Sequence, residues 1–480
     1  MDSSRLHAVA VVSAACLAIF AASGLIFGSP ALYPELYSLG FLDDTCGAKE
    51  AMACRAVPDR SSKCCDTQSD AYAVVFTVGY FLSDAAAAPW GEVADRLGGL
   101  ICASAAMLAA ALSLTLLAVG TRLPSDGLLI GSIEAISLAG PGVFSGAFVG
   151  CLAKLGPTTA QSVWAEAGLS AFSAGIFNLS SLVFPLVLLL ASCTGISICG
   201  ACILWACVIV AIGGMLAGAL RRDPEAPLSS QPQSVTEEKG SPEVAGTRLT
   251  EATSLVRKRA ENQRDCPLLT CFFAAHNLCL LFFMSALNLA QTFYLVTVDD
   301  QLVTILGERS ERIIGEALST AFPITGCLTA LVAWPLLARY QEREYVYWSV
   351  ALVLNALFCA FSLMPADAAQ LCAALIFGPA RTMLWASYFW FVSTERRYER
   401  EMTGRVIGYN NTIIAMLGNW PAIVLVATIE PDRIGQWGGS RAGRYYWVKG
   451  CLLVFVIASG VLPAHLRQTY RWSDGRRRTS

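Results

Sequence analysis

Charge is scarce in this 480-residue chain: 15% of the side chains are charged against 55% hydrophobic, and the mean hydropathy is +0.54. A soluble domain needs far more charge than this to cover its surface, so a water-borne enzyme or binding module is excluded. Histidine is scarcer still, with three in the whole chain. There is no H-E-x-x-H pair, no cluster with metal-ligand spacing and no glycine-rich nucleotide loop, so an enzyme is not expected and no metal or cofactor is called for. The net charge of −2 points to no nucleic-acid partner.

What the chain has instead is apolar runs. About twelve are long enough to cross a bilayer of roughly twenty-residue span, at 8–36, 70–94, 100–120, 127–155, 163–192, 196–220, 268–298, 313–338, 345–364, 369–391, 402–429 and 447–466. The fold class is therefore an all-α polytopic membrane protein. The first run continues past twenty residues without a clean small-residue cleavage site, so it reads as a retained span rather than a signal peptide. With the N-terminus in the cytoplasm, about twenty-two Lys and Arg fall inside and about eleven outside, which places both termini on the cytoplasmic side.

The longest polar interruption, 221–266, contains RRDPEAPLSSQPQSVTEEKGSPEVAG and is too poor in apolar residues to order itself. It divides the runs six and six, into an N-terminal bundle over 1–220 and a C-terminal bundle over 267–466, with a basic cytoplasmic tail at 467–480. TSLVRKRAENQRD at the end of the interruption reads either as a short interfacial helix or as a solvated connector. Most of the 18 cysteines lie within the runs, but Cys46, Cys54, Cys64 and Cys65 share the first outer loop, 37–69. On an oxidising side they predict one or two disulfides, with three pairings open; no histidine accompanies them to suggest a metal.

Between the second and third runs stands GEVADRLGG, 91–99. Here the chain resembles the major facilitator superfamily, whose loop between helices two and three reads G-x-L-A-D-R-x-G-R-K. Gly91, Ala94, Asp95, Arg96 and Gly98 match; Gly99 and Leu100 replace the two final basic positions. Physically, the glycines let two helices turn tightly, while Asp95 can accept from amides at a helix N-terminus, the start of the eleventh run near 403–405. The longer stretch FTVGYFLSDAAAAPWGEVADRLG, with GLIFGSPAL, GPARTMLWASYFWF and GRVIGYNNTI, is similar to the L-type facilitative amino acid transporters and their apicomplexan relatives. That resemblance implies a twelve-helix fold in two six-helix bundles and facilitated, alternating-access transport of amino acids. One branch of the group carries nucleobases, so a nucleobase or other small organic solute is the alternative, and a non-transporting receptor or scaffold a further one.

Midplane polar residues mark a substrate path, because a charge there needs a cavity or a partner. By helix rise Asp84, His276, Arg381, Asn410 and Asn411 fall near the middle of their runs. Arg381 offers a fork suited to a carboxylate and Asp84 a partner for an amine; alternatively the two neutralise each other. Asn288, Gln291 and Tyr294 form a polar stripe for substrate contact or interhelical bonding. Gly24, Phe27 and Gly28, in the glycine- and proline-rich end of the first run, are expected at the ligand, at a bendable gate, or in close helix packing. His276 is the candidate proton site, although the fifth run, reading AGLSAFSAG, lacks an antiporter-type glycine-proline motif and favours uncoupled diffusion. Glu134, Glu166 and Glu316 are expected as helix-end or gate contacts. The expected partners are a small-molecule substrate and membrane lipid, and the expected location is the plasma membrane, with the oligomeric state open and a monomer compatible with the fold.

Overall fold

The computed structural model describes residues 3–47, 65–123, 125–155, 160–221, 272–394, 398–429 and 440–479. Twelve helical rods can be followed among them. The first six are α1 (Ser3–Ala22, then a 3-10 stretch Leu25–Leu32 and a short helix Tyr33–Ser38), α2 (Asp66–Ala85 and Ala87–Leu97), α3 (Gly99–Gly120), α4 (Asp126–Lys154), α5 (Ala160–Leu179, then Ser180–Leu182 and Val183–Thr194) and α6 (Ile198–Arg221). The second six are α7 (Ala275–Leu306), α8 (Glu308–Arg339), α9 (Tyr345–Ser362), α10 (Asp367–Ser393), α11 (Thr403–Ile414, a π turn Ala415–Asn419, and Trp420–Ile429) and α12 (Arg441–Ala458, followed by Val461–Thr479). Ten of the rods are long and apolar enough to cross a membrane. The remaining two are α10, which carries Arg381 at its middle, and α11, which is broken into three pieces.

Some boundaries differ from the sequence expectation. The run at 268–298 is helical from Ala275 and continues to Leu306. The basic tail after Leu466 belongs to a helix that reaches Thr479. Residues 222–271, which hold the polar interruption beyond Arg221 and its basic segment 253–265, lie outside the described residues.

Small residues set the packing, as expected where lipid removes the hydrophobic drive between helices. α3 and α4 touch backbone to backbone: a Cβ on Gly99 would collide with Gly146 and Gly150, and one on Gly146 with Ala103. The turn between α2 and α3 needs Gly98, whose φ is +92°. In α1, Pro30 has no amide to donate and the backbone tightens to 3-10 geometry around it. Gly24 and Gly28 press this tightened stretch against α5, where any Cβ would meet the carbonyls of Phe177 and Ser181.

The halves meet along α5, α8 and α10, where Asn178 Nδ2 donates to Thr382 Oγ1 at 2.8 Å and Trp334 Nε1 to the Trp164 carbonyl at 2.8 Å. They also meet where the end of α2 crosses the start of α11. At the opposite end of the bundle Cys46 is bonded to Cys65, and Gln68 Nε2 donates to the Phe41 carbonyl at 2.8 Å and to Asp43 Oδ1 at 3.1 Å. Cys54 and Cys64 lie outside the described residues.

Candidate functional site

Arg381 is the fifteenth of the 27 residues of α10 and 2% exposed. Its Nη1 donates to Gln291 Oε1 at 3.3 Å and its Nη2 to the Tyr80 hydroxyl at 3.3 Å. The guanidinium lies over the Phe27 ring, 5.1 Å from the centroid, and 5.9 Å from that of Tyr80. Nε is buried with no partner. Both partners of this cation are neutral, although in a low-dielectric interior it calls for an anion.

Asp84 sits one turn along α2 from Tyr80 and is half-buried. No ion pair joins Asp84 to Arg381 among the described residues; a chain of neutral groups does. Asn419 Nδ2 donates to Asp84 Oδ2 at 2.6 Å, while Asn419 Oδ1 accepts from Asn288 Nδ2 at 2.5 Å and from Thr292 Oγ1 at 2.9 Å. The Thr292 hydroxyl then lies 3.4 Å from that of Tyr80. On the other side Gln291 Nε2 donates to Asn355 Oδ1 at 2.8 Å, and Asn355 is tied to the Ala351 carbonyl of its own helix at 2.9 Å. One network thus runs from α2 through α11 and α7 to α10 and α9, crossing between the halves near the middle of each rod.

Its floor is aromatic. Phe144 on α4 meets Phe389 on α10 at 4.5 Å between centroids, with Phe148 5.7 Å from the same ring. Trp385, one turn along α10 from Arg381, keeps its indole N–H buried without a partner. Phe81 also faces Trp420 across the halves, with ring centroids 6.0 Å apart.

Several sequence candidates do not join the network. Gly24 and Gly28 face α5, so of the first-run candidates Phe27 alone reaches Arg381. Tyr294 turns into the C-terminal half and packs on Phe358 and Phe377, with centroids at 5.0 and 5.6 Å, beside Lys449. The 100° step per residue carries position 294 off the face shared by 288, 291 and 292. His276 is the second residue of α7, at its end rather than at the midplane, with Phe391 and Tyr398 rings 6.5 and 6.0 Å away. Asn410 pairs with Asn277 at that same end, its Nδ2 donating at 3.2 Å, and Tyr398 donates to Asn277 Oδ1 at 2.8 Å. Asn411 is half-buried and bonds to none of the network. Conversely, sequence reasoning passed over Tyr80, Thr292, Asn355 and Asn419; the two asparagines in apolar runs were the available signal.

The GEVADRLGG end is closed. Asp95 Oδ1 accepts from the Gly404 amide at 2.9 Å and Oδ2 from the Arg405 amide at 2.7 Å, at the N-terminal end of α11. A Cβ on Gly91 would strike the Gly404 carbonyl, and one on Gly408 the Ala87 carbonyl. Arg96 pairs instead with Glu92 at 2.8 Å, and Glu92 accepts from the Tyr409 hydroxyl at 2.8 Å. Glu166, expected as a gate contact, is ion-paired across the halves to Arg400. Glu316 is exposed.

No family model and no curated protein matches the chain. Among solved structures, the crystal structure of the human organic anion transporter MFSD10 (TETRAN) matches with a TM-score of 0.60 and 13% identity, covering 96% of this chain and 100% of that one. At that identity the likeness speaks to architecture alone. The chain is an all-helical, multi-pass membrane protein with the major-facilitator fold, two six-helix bundles facing each other.

Proposed function

We propose that the protein is an alternating-access carrier for small solutes that bear a carboxylate, amino acids first among them, as the sequence resemblance to the L-type transporters implies. The observation that carries this reading is Arg381: a buried cation at mid-bundle, held by neutral partners, with Nε unoccupied. An incoming carboxylate meets that unmet demand and gains a charge-assisted bond. The amine of a zwitterion then lies toward Asp84 and Asn419, which are already joined at 2.6 Å. The GEVADRLGG end is the cytoplasmic end by the positive-inside count, and it is the closed one here. Opening it requires Asp95, Gly91 and Gly408 to part from α11 while the halves swing about the central site.

A second reading has its own support. Phe27 and Tyr80 set rings beside the guanidinium, 5.1 and 5.9 Å away, which suits an aryl or other organic anion lacking an amine. The named activity of the matched structure belongs to the same class.

The test is an uptake screen in a heterologous cell with all common amino acids, several nucleobases and a set of amine-free aromatic carboxylates. Arg381→Ala is expected to abolish uptake with surface expression intact, and Arg381→Lys to retain charge but not the fork. Unchanged uptake in Arg381→Ala removes the assignment. Selective uptake of the amine-free anions, insensitive to Asp84→Asn, favours the second reading.

A further inference from the structure

Glu134, expected as a helix-end or gate contact, is a second acidic group of the N-terminal half, half-buried and set in from the helix end. It stands two turns inside α4, about 12 Å from the helix start by rise per residue. Its Oε2 is shut off from solvent and has no hydrogen-bond partner. The oxygen lies against Gly79 of α2, where an added Cβ would come 3.2 Å from it and 2.8 Å from both Ser137 Oγ and Ile26 Cδ1. Gly79 adjoins Tyr80, so this carboxyl lies behind the wall of the Arg381 site.

The neighbours offer it nothing. Ser137 donates to the Ile133 carbonyl at 2.9 Å. The segments packed around it, 25–38, 71–85 and 99–120, contain no Lys, Arg or His. Of their ionisable groups, Tyr33 bonds to the Tyr72 carbonyl, Tyr72 to the Phe41 carbonyl, Tyr80 to Arg381, Asp84 to Asn419 and Cys102 to the Trp90 and Gly142 carbonyls, while Glu35 is a further acid, half-buried, that adds no cation. Tyr37 packs edge-on against Tyr33 and tilted against Tyr72, and Asp126 on α4 itself accepts from the Leu42 amide at 3.2 Å. An ionised carboxylate facing a wall with neither donor nor cation is costly in a bilayer, whereas the neutral acid is tolerated. Ile26, which covers it, belongs to the tightened stretch of α1, the part of the wall built to bend.

We propose that Glu134 is a proton-binding site that couples transport to a proton gradient, a reading that rests on the carrier function above. With the outer end open, a hydronium ion gives its proton to the carboxylate, leaving water and a neutral acid. The acid crosses with the substrate as the halves swing; displacement of the Ile26 stretch then admits water, which takes the proton and restores the carboxylate. His276, at the end of α7, takes no part.

Two measurements test this on the full chain in liposomes. The first needs no substrate: infrared difference spectra between mildly acidic and mildly alkaline buffer are expected to show a protonated-carboxyl band that disappears in Glu134→Gln and returns, shifted, in Glu134→Asp. A band unchanged in Glu134→Gln overturns the proposal. The second uses labelled leucine. An inward proton gradient is expected to raise wild-type accumulation several-fold over its absence. Glu134→Gln is expected to lose that gain while keeping gradient-free counterflow. Gradient-driven accumulation that persists in Glu134→Gln overturns the coupling. Absence of leucine counterflow in the wild type strikes the amino acid reading alone, since the infrared result stands without it.

Discussion

Removing the Asp95 carboxylate is expected to unlatch the closed end of the bundle. The Asp95 side chain is 2% exposed and accepts from two backbone amides of α11, at 2.9 and 2.7 Å, with a longer contact to Arg405 Nε at 3.4 Å. Those amides are among the four at a helix N-terminus that have no partner within the helix, and the helix dipole favours an anion beside them. A charge-assisted bond is worth about 1.5–3 kcal/mol. When the end opens, water replaces the carboxylate at both amides, so the difference between closed and open states is about 3 kcal/mol for Asp95→Ala. That corresponds to about a hundredfold change in the closed-to-open ratio. Asp95→Asn retains one acceptor oxygen without the charge and should shift the ratio by about tenfold. Spin labels carried on non-natural amino acids at Leu97 and Glu401, on opposite halves, would report the distance distribution without interference from the native cysteines. A longer-distance population growing from wild type to Asp95→Asn to Asp95→Ala is expected. Identical distributions in all three, or a greater shift for Asn than for Ala, would refute the reasoning.

Two further substitutions follow from the same geometry. Gly408→Leu places a side chain against the Ala87 carbonyl, where even a Cβ does not fit, so it should hold this end open; transport should fall to background while the protein still purifies as a monodisperse species. Asn355→Leu removes the anchor of Gln291 and leaves that amide able to turn away from Arg381; the substrate KM should rise about tenfold, the effect of losing about 1–2 kcal/mol of positioning, with kcat changed less. Equal KM values in Asn355→Leu and wild type would remove Asn355 from the site.

Legibility differed by feature, for reasons that particular residues show. Arg381 and Asp84 stood out because a charge within an apolar run has few tolerable surroundings. Asn288 and Gln291 are recognisable as polar groups on one helix, but Tyr294, one step further in the same spacing, is turned about 60° past Gln291 and lies among the phenylalanines of its own half. His276 lies shallower than its run suggests because the run 268–298 begins before the helix start at Ala275, and Asn410, in the first turns of α11, pairs with Asn277 at that same end. The relevance of Asn419 depends on the π turn at Ala415–Asn419, a local irregularity with no mark in the apolar pattern. Glu134 was read as peripheral because counting from a run's edge gives depth but not which neighbour, here a glycine, opens a space beside it.

Scarce charge, twelve apolar runs and the position of GEVADRLGG were sufficient for the membrane class, the division into halves and the helix end that Asp95 meets, because bilayer thickness and backbone hydrogen bonding leave a chain few other arrangements. Partner identity came from packing alone: that Gly24 and Gly28 serve α5, that Phe27 covers Arg381, and that a chain of neutral hydroxyl and amide groups separates Arg381 from Asp84. Those relations join residues up to several hundred positions apart, and their geometry depends on rotations of each helix about its axis that no one-dimensional spacing records.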